Sequence, residues 1–314
     1  MKKIMQVDLH LWFVVGFLWL LTSCNQEKQV GPIANNSNLP DNSEKAFNKK
    51  LLPQEFKDYW YGGEAEISSY KLEQARYGEI REGHAVLIYV TEDFLADTQV
   101  KADKQNPNNI PVLKLNSTKN FNTGVYPYST MQSVFYPVSN NQHALKVSSS
   151  IQEWCGHVYV QLNNREPFEV TSHSYFEGEA DEAFSIKKSI LENELWAQLR
   201  INPKSLPTGN LEIIPSFENL RFSHIPLKAY KAITSLTSNT YSISYPELNR
   251  ILLINFNPNF PYDILSWEET FNSGYGENAK MLTTKATKLK TIKSSYWNKK
   301  FNKDEILRDT LQLN

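Results

Sequence analysis

The 314 residues carry 33 lysines and arginines against 34 aspartates and glutamates, so no bulk electrostatic attraction draws the chain to nucleic acid. Hydrophobic residues make up 40% of a chain this long, which allows a large core to form without disulfide staples. It has two cysteines, Cys24 and Cys155.

Met1-Lys2-Lys3 is followed, after a few mixed positions, by the apolar run from Leu11 to Leu21. Charge and then an apolar segment is the order of a secretory leader. As a helix the run is about 16 Å long, roughly half the hydrocarbon layer that a permanent span must cross. Leu21-Thr22-Ser23-Cys24 resembles the lipobox of bacterial lipoproteins. That resemblance implies a signal peptide over residues 1–23, cleavage before Cys24, and lipidation of Cys24 as the membrane anchor. The expected location is the cell envelope, at the outer membrane. Loss of Lys2, Lys3 and Asp8 leaves 31 basic and 33 acidic residues, a formal charge of −2. With Cys24 lipidated, Cys155 has no intramolecular disulfide partner, although an exported compartment permits such bonds.

Residues 24–50 are polar, rich in asparagine and serine, and marked by Pro32 and Pro40, the composition of a flexible tether. A domain over residues 51–314 follows. A short helix is predicted to open at Pro53, with Phe56, Tyr59 and Trp60 on its apolar side. Ala85 to Val90 is a continuous apolar run, the pattern of a strand covered on both faces. Further strands are predicted at Val112 to Leu115, Val125 to Tyr136, Leu145 to Ile151, Trp154 to Leu162 and Phe168 to Phe176. Leu191, Leu195 and Leu199 recur every four positions and predict a helix within Ile190 to Ile201, stopped by Pro203.

Strands resume at Leu211 to Ile214, Leu220 to Ile225, Ala232 to Leu236, Tyr241 to Tyr245, Ile251 to Phe256 and Ile264 to Phe271. Lys280 to Lys303 holds eight lysines and no acid. The spacing reads as a solvated edge strand guarded by lysine, with anionic lipid or polysaccharide as an alternative contact. These elements predict a mainly β, β-rich α+β fold: a large antiparallel curved sheet, or a partly closed barrel or sandwich, with one or two helices. A junction between two halves is placed near residues 180–205.

One constellation carries chemistry. From Trp154 to Leu162 the even positions are apolar, while the odd positions Glu153, Cys155, His157, Tyr159 and Gln161 are polar or reactive. A period of two sends the two sets to opposite faces. Phe168 to Phe176 repeats the split, and an antiparallel hairpin that matches the apolar faces sets His173 opposite Cys155 or His157. Glu153, Cys155, His157 and His173 then form a candidate site for a transition metal such as zinc, or a Cys-His nucleophile. The competing reading is an inert polar face with no cofactor. Gly62-Gly63 is no phosphate loop, and no Gly-x-Ser-x-Gly elbow is present.

The stretches Tyr59-Trp60-Tyr61-Gly62-Gly63-Glu64-Ala65-Glu66, Gln74-Ala75-Arg76-Tyr77-Gly78-Glu79, Phe121-Asn122-Thr123-Gly124-Val125-Tyr126-Pro127-Tyr128, Gln152-Glu153-Trp154-Cys155-Gly156-His157 and Phe260-Pro261-Tyr262-Asp263-Ile264-Leu265-Ser266-Trp267-Glu268-Glu269 resemble a family of Bacteroidetes lipoproteins. Its members often carry the name "septum formation inhibitor Maf". The phosphate-binding motif of true Maf nucleotide pyrophosphatases, an N-terminal serine and arginine, does not open the mature domain, so none of their catalytic residues transfers. At the level of architecture the chain also resembles periplasmic half-barrels that hold acyl chains. With 39 aromatic residues and no recognised catalytic motif, the sequence points to a non-catalytic envelope module for a protein partner or an apolar ligand. The alternative is an envelope enzyme or metal site on the Cys/His strand face.

Overall fold

The computed structural model describes residues 51–139 and 142–313, and the expected leader (1–23), Cys24 and the expected tether (24–50) lie outside them. After helix α1 (Gln54–Trp60), the first half of the domain runs through β1 (Ala65–Arg76), β2 (Glu79–Leu95), β3 (Val100–Lys101), β4 (Ile110–Thr123), β5 (Tyr126–Pro137), β6 (Lys146–Glu153), β7 (Gly156–Asn163), β8 (Phe168–Ser174) and β9 (Glu182–Ile186). The second half comprises β10 (Ile190–Leu191), α2 (Glu192–Ile201), β11 (Gly209–Ile214), α3 (Phe217–Ser223), β12 (Tyr230–Leu236), β13 (Thr240–Tyr245), β14 (Arg250–Phe256), β15 (Ile264–Ser273), β16 (Lys280–Ser294) and α4 (Ile306–Thr310).

The strands form one sheet in the order β10-β11-β12-β13-β14-β15-β16-β1-β2-β4-β5-β6-β7-β8-β9, with β3 paired to β2. Every pairing is antiparallel except β10 with β11. The mainly β expectation therefore holds. The two halves meet through the β16–β1 pairing, while residues 187–189 connect β9 and β10 at opposite ends of the strand order. Such a connection reaches at most about 14 Å, so the sheet curls until its two ends approach.

Helix α2 packs on β4 and β5 inside the curl, and α3 packs on β5 and β6. The main core, including Tyr70, Leu72, Leu87, Tyr89, Leu195 and Leu199, fills the inner face. A smaller cluster covers part of the outer face, where Leu311 and Leu313 pack on Ala65, Ile67, Val86 and Val90. This second cover explains the unbroken apolar run from Ala85 to Val90, because that stretch of β2 is buried on both sides.

Two sequence readings are corrected. Leu220 to Ile225, expected as a strand, belongs largely to α3. Ser216 caps that helix by accepting the Asn219 N–H at 3.3 Å, and His224 ends it in the left-handed conformation. Lys280 to Ser294 is no edge strand, since β16 pairs with β15 on one side and β1 on the other. Its buried positions are Thr284, Ala286 and Ser294, residues too small or polar to reveal a central strand.

Buried ion pairs fix the helices to the sheet. Arg200 of α2 holds Glu66 of β1 through two contacts, at 2.6 and 2.7 Å, and Tyr59 donates a further hydrogen bond to Glu66. Arg250 of β14 clasps Glu192 of α2 at 2.5 and 2.7 Å, while its Nε donates to Glu269 at 2.7 Å. Lys119 meets Glu218 of α3 at 2.5 Å.

Gly83 illustrates how closely adjacent strands approach. A Cβ there would lie 2.2 Å from the Asn120 carbonyl oxygen and 2.8 Å from the Phe121 Cβ. Gly83→Val is expected to cost about 1–3 kcal/mol of stability, read from urea denaturation. An unchanged midpoint would show that the strands give way freely.

Candidate functional site

Val158 and Val160 of β7 and Ser172 of β8 lie on the floor of an open cleft of about 900 Å³. Val160 lies opposite Ser172 across the β7–β8 pair, and Ser172 lies opposite Glu182 across β8–β9. Since side chains alternate along a strand, these three form one row on the inner face. Val158 and Phe184 extend the floor, and Phe217 and Leu220 of α3 form the facing wall.

The left-handed turn at His224 reverses the chain after α3, with the Ile225 N–H bonded to the Leu220 carbonyl at 3.1 Å. Pro226 prevents helix continuation, and Ile225 and Leu227 close the roof. The cleft is thus built mainly from apolar side chains, within the size range of small-molecule sites.

Its mouth is polar. Arg221 Nη1 and His224 Nδ1 both reach Glu179 Oε1, at 3.1 and 3.0 Å, and Ser174 Oγ donates to Glu179 Oε2 at 2.7 Å. The Arg221 guanidinium also lies over the Phe176 ring, 4.4 Å from its centroid. Burial, and then the adjacent Arg221 charge, hold the His224 imidazole below its ordinary range.

The residues singled out from sequence do not converge. β6 ends at Glu153, a two-residue turn of Trp154 and Cys155 follows, and β7 begins at Gly156. Reading Trp154 to Leu162 as one strand carried the parity across that turn. Glu153 lies opposite Gly156, in the inward set with Ile151 and Val158, whereas His157 lies opposite Gln152 in the outward set. The β7–β8 register is also shifted from expectation. Residues 164–167 make a four-residue connection, which places His173 opposite Tyr159 rather than Cys155 or His157, and Val160 opposite Ser172 rather than Phe168 or Val170.

Glu153 Oε2 accepts the Cys155 backbone N–H at 2.7 Å, and the exposed Cys155 thiol is pushed up by hydrogen bonding to, and the charge of, Glu153. A raised thiol is a poorer source of thiolate. His173 Nδ1 lies 3.3 Å from Asp181, with both side chains largely exposed. Among the described residues no three His, Cys, Asp or Glu side chains are grouped to hold a metal ion.

The cleft residues from α3 and the β8–β9 loop, including Arg221, His224 and Glu179, were not visible as a site in the sequence. The available signal was the apolar alternation of β7 and β8, which identified the floor but not the wall.

No known protein family matches the sequence, and no curated protein does. One solved structure, titled a beta-barrel-like protein of domain of unknown function DUF1849 from Brucella abortus, aligns with a TM-score of 0.43 at 6% identity. The alignment covers 73% of this chain and 97% of that one.

Proposed function

We propose that this chain is an envelope lipoprotein, anchored through Cys24, that holds an apolar ligand in the cleft between β7–β9 and α3. One observation carries the reading: an open space of about 900 Å³ faced by Val158, Val160, Phe184, Phe217, Leu220 and Leu227. Burying a methylene contributes about 0.8 kcal/mol, so a chain of several carbons laid along this floor gains affinity without any specific polar contact. No helix among the described residues is long and apolar enough to cross a membrane, so the proposed attachment relies on lipid at Cys24.

The purified domain should enhance the fluorescence of N-phenyl-1-naphthylamine, an uncharged apolar probe. Ser172, half-buried in the middle of the floor, can be replaced without deleting a core side chain. Ser172→Trp should weaken probe binding by about tenfold or more while leaving the thermal midpoint within a few degrees. Full probe binding in a folded Ser172→Trp protein would remove the cleft as the binding site.

A further inference from the structure

The cleft mouth carries more acid than base. Among the lining residues Glu179 and Glu182 stand against one guanidinium, Arg221, which already engages Glu179; buried Arg76 lies outside the lining and adds its charge near His224. His224, whose imidazole burial and then the Arg221 charge hold below its ordinary range, takes up a proton less readily than a free imidazole. Glu182 is exposed at the start of β9, aligned through Ser172 with Val160 of the floor. Two strand spacings, about 10 Å in all, separate Val160 from Glu182 along this row. A chain lying on the floor can therefore bring its polar end to the Glu182 carboxylate.

Resting on the apolar-ligand reading above, we propose that the cleft selects amphiphiles whose head group is a cationic amine, with Glu182 as the residue that meets the ammonium. A carboxylate or phosphate head would either sit beside Glu182 or displace Glu179 from Arg221, and like-charge contact or loss of an existing ion pair opposes both. An ammonium head gains the unpaired carboxylate and disturbs neither Arg221 nor Glu179. Because Glu182 is exposed, the selectivity is modest and screened by salt.

Displacement of N-phenyl-1-naphthylamine by dodecylammonium and by dodecanoate, below their micelle-forming concentrations at pH 7 in low salt, tests this choice. Dodecylammonium should bind about tenfold more tightly. Glu182→Gln should cut that preference to about threefold or less. Equal or tighter binding of dodecanoate would overturn the amine preference while the cleft remained an apolar site. A preference that survives Glu182→Gln would overturn the role of Glu182. Failure of the wild-type protein to bind the probe or either amphiphile would overturn the underlying apolar-ligand reading.

Discussion

Arg250→Ala is expected to lower the free energy of unfolding by about 3–5 kcal/mol, the range for removing one partner of a buried ion pair. Arg250 is 2% exposed, and it serves two carboxylates at once, Glu192 on α2 and Glu269 on β15. Its removal leaves both anions in the interior with fewer donors, although Tyr245 still donates to Glu192 and Asn219 to Glu269. The cost comes from stranded charge rather than from the net value of the pair. Urea denaturation of the variant beside the wild type measures it, and a loss below about 1 kcal/mol would mean that water reaches the carboxylates.

Acid is expected to act on the same architecture. The Arg200 charge and its hydrogen bonds hold Glu66 below the usual carboxylate range against the opposing effect of burial, and Arg250 followed by Lys119 does the same for Glu269. Both groups bind a proton less readily folded than unfolded. Their stabilisation is therefore present above the ordinary value of 4.5 and is lost as pH falls through the lower folded values. Unfolding free energy should be nearly flat from pH 8 to 6 as far as these groups determine it, then fall by on the order of a few kcal/mol toward pH 3. A urea midpoint equal at pH 6 and pH 3 would contradict the lowered acidities.

The sequence revealed the fold more readily than the cleft, because periodicity reports burial but not which buried surfaces face each other. Ala85 to Val90 and the Leu191, Leu195, Leu199 spacing lie where expected, since strong apolar patterns dominate local propensity. Leu220 to Ile225 has a strand-like composition, but the Ser216 cap and the left-handed His224 enclose a short helix there. That helix supplies the cleft wall through Phe217 and Leu220. β16 was obscured for another reason: its paired edges are backbone, and its buried residues are threonine, alanine and serine. Glu192, Arg200, Arg250 and Glu269 carry no sign of burial in the sequence, because nothing in a single chain marks which acids and bases will meet across separations of 19 to 134 residues.

The seam between β16 and β1 joins residues far apart in sequence, as in the Ser68 to Thr291 hydroxyl contact across 223 positions. A nascent chain must hold the free side of β1 in reserve until β16 has been made. Such distant closure slows folding and leaves a strand edge open to intermolecular addition meanwhile. Chains cut short before Lys280 would retain that open edge permanently, making self-association the characteristic failure of truncated products.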